Sequence, residues 1–132
     1  MNERLHDKLV AAGMRPTRHR LELAGLIFTG RHRHFTVDII YAESRSVSDP
    51  PSLATTYNTI NEFVRRGLLQ EIGAIDAKTW YDTDIESHRH FYFEDGGELM
   101  DIPASLAPEV TVRAPKGKRV ASISLMVRLA SG

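Results

Sequence analysis

Apolar residues recur at three- and four-residue spacing through most of the first half of the chain, which predicts a series of amphipathic helices. A first helix is predicted over residues 3–12, and a second begins after Pro16 and ends near Gly30. Thr36 can cap a third helix, because its hydroxyl can accept a backbone N–H at a helix start. The prolines within residues 48–51 prevent that helix from continuing and predict a turn.

The most informative pattern begins directly after this turn, where Ser52 can cap a further helix and Gly67 can end it. Its predicted buried stripe consists of Leu53, Ile60, Phe63 and Val64. Its other face carries Thr55, Thr56, Tyr57, Asn58, Asn61 and Arg65. Short hydroxyls and amides, followed by a guanidinium, suit a helix that contacts base edges and phosphates in DNA. An ordinary solvated amphipathic helix would show the same pattern.

The setting of this helix favours DNA binding. Residues 36–49 are predicted to supply a helix and a turn before it, and two helices joined by a short turn are the arrangement of a helix-turn-helix. Residues 68–82 then predict a β-hairpin that turns within residues 73–78, which would be the wing of a winged helix. We therefore expect residues 1–83 to form an N-terminal winged helix-turn-helix DNA-binding domain.

The pattern changes to β-strands after about Thr83. Strands are predicted over residues 90–94 and 98–102, joined by a glycine-rich turn, and over residues 120–129, where apolar and polar side chains alternate. Residues 103–118 read as a connection with at most one short helix. A sheet this small leaves an edge and an apolar face uncovered, so residues 84–132 are expected to be a small C-terminal α/β dimerisation domain of a homodimer. The predicted fold class is α+β.

Composition narrows the functional classes further. The 132 residues contain no cysteine, so disulfides and a structural zinc site of the cysteine type are excluded. No apolar run approaches the ~20 residues that a membrane span requires, and the first residues lack the apolar core of a secretory signal. We therefore expect a cytoplasmic protein with no membrane partner.

Charge is distributed unevenly along the chain, although the formal net charge is zero. Residues 1–33 hold seven basic and three acidic side chains, whereas residues 71–101 hold nine acidic and two basic ones. A basic lobe beside an acidic lobe is what a nucleic-acid-binding domain joined to a regulatory domain can look like. Chance clustering of charge is the alternative.

Histidines supply the candidate chemistry. His88 and His90 are two residues apart at the start of a predicted strand, so both imidazoles would lie on one side of it. Asp82 at the end of the wing and His34 before the third helix are further candidate ligands. Two or three imidazoles with a carboxylate suit zinc, iron(II) or manganese, and a histidine pair alone also suits haem iron. Solvated histidines without any ligand are the alternative, and the role of His32 is ambiguous.

Several short blocks, in this order and spacing, resemble the ferric uptake regulator (Fur) superfamily. They are residues 13–20, 34–38, 53–60, 66–69, 88–90 and 95–97. Within the superfamily the chain looks most like the iron response regulators (Irr) of alphaproteobacteria, through residues 52–61, 78–83, 90–95 and 99–104. The resemblance implies a dimeric winged-helix transcription regulator of iron and haem metabolism genes that binds a double-stranded DNA operator.

The resemblance also implies roles for individual residues. Tyr57 would contact bases, most simply a thymine methyl, with Thr55 and Asn61 near bases or phosphate and Arg15 at the backbone or minor groove. His34, Asp82, His88 and His90 match the regulatory metal site that bridges the two lobes. The whole DNA-contact set predicted here is Arg15, Thr55, Thr56, Tyr57, Asn58 and Asn61.

Three departures from the usual family pattern involve four positions. Asn58 stands where the family often has arginine, as in Irr-like members. Phe93 and Gly96 occupy the places of the structural zinc cysteines, so packing must hold the dimerisation lobe together. Arg89 interrupts the histidine run that is linked to haem in Irr, and an arginine cannot ligate iron.

Two other functions fit parts of the sequence. The chain could be a winged-helix regulator whose ligand is not a metal. It could also be a metallohydrolase that uses His88 and His90, with Glu86 or Glu94 as a general base. The sequence shows no further ligand cluster and no nucleophile motif, so we expect that the protein is not an enzyme.

Overall fold

The computed structural model describes residues 2–86 and 88–132, and the chain divides into two compact units, Met1–Glu86 and Ser87–Gly132. The first unit contains α1 (Asn2–Ala11), α2 (Arg18–Ile27), β1 (His34–Thr36), α3 (Val37–Ser44), α4 (Leu53–Arg65), β2 (Gln70–Ile75) and β3 (Lys78–Asp82). The second contains β4 (Arg89–Phe93), β5 (Glu98–Asp101) and β6 (Leu125–Leu129). Helices with small sheets confirm the predicted α+β class. None of the helices among the described residues is both long and apolar enough to cross a bilayer.

The helix starts follow the predicted capping chemistry. Thr17, Thr36 and Ser52 are the N-caps of α2, α3 and α4. In each case the side-chain oxygen accepts the backbone N–H three residues further on, at 3.1–3.4 Å. Gly67 follows α4 with a φ of +78°, a conformation that a side chain would strain. Local polar residues therefore fix where α4 begins and ends.

The first unit is built around an apolar core to which the four helices α1–α4 and the strands β1 and β3 contribute. Its fully buried side chains include Leu9, Leu23, Ile27, Phe35, Ile40, Ile60, Phe63 and Tyr81. The ring of Phe63 on α4 lies 5.7 Å from that of Phe28, which follows α2. Helix α4 packs against both α2 and α3, so the core holds it in a fixed orientation.

A small antiparallel sheet in the order β1-β3-β2 completes the first unit. In the β1–β3 ladder His34 pairs with Asp82 and Phe35 pairs with Tyr81. Strands β2 and β3 form the predicted wing hairpin, and β1 places the start of α3 beside it.

The hairpin turn is tighter than the sequence predicted. The turn consists of Asp76 and Ala77, which both have positive φ (52° and 65°), as a two-residue hairpin turn of the mirror-image type requires. Pairing continues up to this turn because a bulge between Glu71 and Gly73 absorbs an extra residue. The glycine-containing segment 73–78 is thus mostly strand, and its glycine marks the bulge.

The second unit is a sheet in the order β5-β4-β6. Strands β4 and β5 form the predicted hairpin, with His90 directly opposite Asp101. Strand β6 pairs with the other side of β4 in parallel. It begins at Leu125, five residues later than the predicted start at 120. Residues 103–124 form no helix or strand.

Candidate nucleic-acid interface and metal cluster

The front of α4 presents part of its predicted polar face to solvent. Tyr57 is 53% exposed and Asn58 is also exposed, while Thr55 is half-buried. The Ser52 Oγ atom accepts the Thr55 backbone N–H at 3.1 Å and lies 3.0 Å from the Thr55 hydroxyl. An exposed tyrosine and asparagine at the start of a fixed helix can reach into a DNA groove.

Two placements on α4 differ from the prediction. Thr56 has no exposed surface, and its hydroxyl donates a hydrogen bond to the Ser52 carbonyl at 2.9 Å, so it cannot contact DNA. Leu53 is instead 48% exposed. It has the right helical phase, but it lies one turn ahead of the first buried position and borders a surface cavity. The buried stripe consists of Thr56, Thr59, Ile60 and Phe63. A hydrophobicity pattern does not predict the burial of its two threonines, because threonine carries a polar hydroxyl.

Asn61 and Arg15, also predicted to contact DNA, have different surroundings. Asn61 is half-buried, and its Oδ1 accepts a hydrogen bond from the Tyr81 hydroxyl at 3.4 Å. Burial raises the pKa of Tyr81 above its ordinary value, with a further contribution from the Glu71 carboxylate, so the hydroxyl remains a donor. Arg15 is exposed in the turn before α2, where its backbone carbonyl accepts a hydrogen bond from Arg20 at 2.8 Å.

A surface cavity of about 480 Å³ lies between the start of α3, the front of α4 and the wing turn. Tyr57 and Asn58 line it from the helix, and Lys78 lines it from the wing. The position of Lys78 adds a cation that sequence reasoning did not single out. The helix and the wing therefore border one concave surface that carries aromatic, amide and ammonium groups, together with the carboxylate of Asp38 at the start of α3.

The turn before α4 is held by two arginines. Arg18 at the start of α2 donates to the Asp49 carboxylate at 3.0 Å and to the Ser48 carbonyl at 2.6 Å. A hydrogen bond to Glu22 raises the pKa of Arg18 further above its ordinary value. Arg45 donates to the Pro51 carbonyl directly before the Ser52 cap. These contacts tie the turn to α2 and α3 and so fix the approach to α4.

A histidine–carboxylate cluster lies at the β1–β3 ladder of the same unit. The Nε2 atom of His34 is 3.2 Å from Asp82 Oδ2, and His32 Nε2 contacts Asp82 Oδ1. Single ligand atoms of the three residues lie within 4.8 Å of one another, and the two imidazole rings are 4.9 Å apart. Asp82 is completely buried, and it also accepts the Asp84 backbone N–H at 2.8 Å. A buried carboxylate needs positive charge or hydrogen-bond donors beside it, which this arrangement supplies.

The other predicted metal ligands lie in the second unit. His90 is 2% exposed, and its Nε2 atom is 3.2 Å from Asp101 Oδ1 on β5. His88 is half-buried just before β4, and its backbone carbonyl accepts the Leu125 N–H at 2.7 Å. The structure thus brings His34 and Asp82 together in one unit and pairs His90 with an acid in the other.

Two residues of these histidine–carboxylate groups, His32 and Asp101, were not predicted as metal ligands. His32 precedes His34 by two residues, and the spacing that singled out His88 and His90 applies to it equally. The predicted turn at residues 95–97 would place Ile102 opposite His90, whereas the observed turn spans residues 94–97 and brings Asp101 there instead.

Helix α4 follows α3 after a short turn, a β-hairpin wing follows α4, and the same unit contains a histidine–carboxylate cluster. These features define a winged helix-turn-helix protein. Residues 11–128 match the Ferric uptake regulator family, and the chain belongs to this family. Its members are transcription regulators and not enzymes, which confirms the expectation that this chain is no enzyme and removes the metallohydrolase alternative.

Individual relatives show how far the likeness extends. The chain is 29% identical over 91 residues to the peroxide-responsive repressor PerR of Staphylococcus aureus (strain USA300), a match that covers 69% of this chain and 61% of the repressor. It thus spans about three fifths of that relative.

Solved structures share the fold at lower identity. The ferric uptake regulator of Vibrio cholerae superposes with a TM-score of 0.73 at 16% identity, covering 96% of this chain and 98% of that one. The ferric uptake regulator of Pseudomonas aeruginosa, solved with manganese, gives 0.72 at 17% identity, covering 96% and 97%.

Proposed function

We propose that this protein is a metal-responsive transcription regulator that binds double-stranded DNA as a homodimer. The observation that carries the proposal is the presence, in one compact unit, of an exposed Tyr57–Asn58 face on a capped helix and of the His32–His34–Asp82 cluster. The first provides a DNA-reading surface, and the second provides a ligand set whose occupancy can alter that surface. Membership of a family of transcription regulators supports both parts.

The DNA contacts follow from side-chain chemistry. Asn58 can make two hydrogen bonds to adenine in the major groove, and the Tyr57 ring can pack on a thymine methyl. Arg15 and Lys78 are candidates for phosphate contacts, since Lys78 lines the cavity from the wing and Arg15 is an exposed cation before α2. Thr55 supports the helix start and can donate to a base or phosphate. Thr56 has no part in this surface.

The cluster fits a divalent metal ion. Two imidazole nitrogens and one carboxylate oxygen form a donor set that iron(II), manganese and zinc accept. A metal would supply positive charge to the buried Asp82, with His32 and His34 as its imidazole ligands. For the second unit we propose His88 and His90 as metal ligands, with Asp101 as the carboxylate beside His90.

The narrower proposal concerns iron and haem. The Irr-like blocks at residues 78–83 and 90–95 support a role in the control of iron and haem metabolism genes. Direct haem ligation by His90 finds little support, because this imidazole is almost completely buried beside Asp101. We therefore propose a metal ion as the first effector to be tested and haem as the second.

Selection of duplexes from a random DNA library, with and without Mn²⁺, Zn²⁺ or Fe²⁺, tests the proposal. The expected result is a two-fold symmetric consensus that binds more tightly in one metal state.

Tyr57→Ala should lower affinity for that duplex ~5- to 150-fold, as expected for a lost base contact, while light scattering still reports a dimer. Val10→Ala, which truncates an equally exposed side chain on α1, should bind as the unaltered protein does. Enrichment of no duplex would contradict DNA recognition. A DNA affinity that no metal changes, but that another small molecule does change, would favour a non-metal ligand.

A further inference from the structure

Tyr81 lies between the metal cluster and the DNA-reading helix. It precedes Asp82 on β3, pairs with Phe35 across the ladder, and donates to Asn61 on α4. We propose that Tyr81 is a positioning residue that transmits the state of the His34–Asp82 cluster to α4 through its hydroxyl. This inference rests on the proposed function, since it requires that a metal alters DNA affinity.

Strand geometry connects the two sites. Successive side chains of a strand point to opposite faces, so His34 and Asp82 share one face of the β1–β3 ladder, and Phe35 and Tyr81 share the other. The latter pair belongs to the apolar core, and its rings are stacked with centroids 5.8 Å apart. A metal that changes the His34–Asp82 spacing therefore acts on the backbone atoms that carry the Phe35–Tyr81 pair.

Tyr81 packs on Phe35 and the apolar core, and it also borders the surface cavity at the front of α4. Tyr81 is 1% exposed and Phe35 has no exposed surface. Closely packed side chains transmit displacement to their neighbours, and Phe35 is such a neighbour of Tyr81. Movement of β3 at Asp82 is thus expected to reach the phenol ring and its hydroxyl.

The contact with Asn61 is sensitive to such a movement. Its length of 3.4 Å is at the long end of hydrogen-bond geometry, where a change of a few tenths of an ångström strengthens or breaks it. Asn61 lies three residues after Asn58 and four after Tyr57, on the same side of α4 as both. We therefore assign Asn61 to the anchoring of the DNA-reading face instead of to base contact.

Tyr81→Phe tests the inference because it keeps the ring and its stacking and removes only the hydroxyl. The quantity to measure is the ratio of DNA affinities with and without Mn²⁺, by fluorescence anisotropy on the selected duplex. Loss of one buried hydrogen bond should reduce that ratio ~2- to 10-fold. Metal affinity measured without DNA should remain within twofold of the unaltered value. Tyr41→Phe, a half-buried tyrosine on α3, is the matched control and should leave the ratio unchanged.

Reciprocity gives an independent readout. If metal tightens DNA binding through this link, DNA must tighten metal binding by the same factor, and Tyr81→Phe must reduce both factors equally. Asn61→Ala should reproduce the loss, and the double variant should lose no more than either single one. An unchanged ratio in Tyr81→Phe would overturn the inference while the proposed function stands. Absence of any metal effect on the unaltered protein would overturn both.

Discussion

His34 and Asp82 are direct partners in the ladder of β1 and β3, with His34 Nε2 3.2 Å from Asp82 Oδ2. Two strands far apart in sequence thus deliver an imidazole and a fully buried carboxylate to one point. Because Asp82 also contacts His32, its carboxylate is central to the cluster.

The first prediction concerns metal affinity. Asp82→Asn keeps the shape and the acceptor for the Asp84 N–H but removes the anionic ligand. We expect calorimetric titration with Mn²⁺ or Zn²⁺ to show affinity reduced by at least the ~10- to 100-fold that loss of a supporting partner costs. His34→Ala should act in the same direction. His6→Ala, at an exposed position on α1, should bind metal normally. Full affinity in Asp82→Asn would mean that metal binds elsewhere.

The second prediction separates helix capping from DNA binding at Ser52. Ser52→Ala removes the acceptor for the Thr55 N–H and should lower the free energy of unfolding by about 1 kcal/mol in urea titration. Ser52→Asp preserves a capping oxygen and places a negative charge at a helix N-terminus, which stabilises the helix. The same charge should repel DNA phosphates. We therefore expect Ser52→Asp to be as stable as the unaltered protein but weaker in DNA binding. Unchanged DNA affinity would show that DNA does not approach this end of α4.

The third prediction compares two apolar residues of α4. Ile60→Val removes one methylene from a side chain with no exposed surface and should cost about 0.5–1.5 kcal/mol of unfolding free energy. Leu53→Ala removes three carbons from a half-exposed side chain and should change that free energy by no more than about 0.5 kcal/mol. Urea titrations of both variants measure the two changes. A larger loss of unfolding free energy in Leu53→Ala than in Ile60→Val would mean that Leu53 belongs to the buried stripe.

The fourth prediction is a pH dependence at the end of α4. Hydrogen bonds from Arg65 and then from Arg66 lower the pKa of Glu62 below its ordinary value of 4.5. A carboxylate with a lowered folded-state pKa stabilises the fold above pH 4.5, and this contribution disappears as the pH falls through the lowered value. Glu62→Gln should therefore melt below the unaltered protein at pH 7, and the gap should narrow in acid. A gap that stays constant from pH 7 to pH 3 would contradict this assignment.

Local chemistry explains what the sequence predicted well. A hydroxyl at Thr36 or Ser52 and a glycine at position 67 act on their own neighbours, so the bounds of α4 can be predicted without knowledge of the tertiary fold. The fully buried Thr56 and the exposed Leu53 depend instead on where the core ends along the helix, which residue type does not encode.

For the candidate cluster, too, the residues could be predicted from the sequence but their pairing could not. His34 and Asp82 were identified through family resemblance and residue type, while their direct pairing depends on the order β1-β3-β2. The parallel pairing of β4 with β6 has no signal in alternation, since an alternating strand can pair in either direction. Its position depends on how residues 103–124 return the chain to β4.

That parallel pairing also sets an order of events during synthesis. All helices and strands of the first unit have been made once residue 82 has left the ribosome, and β1 can then pair with β3. Strand β4 must wait for residues 125–129 before its second side is paired. Non-local pairing is slow to form, and unpaired strand sides invite association with other chains. We therefore expect the first unit to fold first, and the sheet of the second unit to form in the later step at which nascent chains either pair correctly or aggregate.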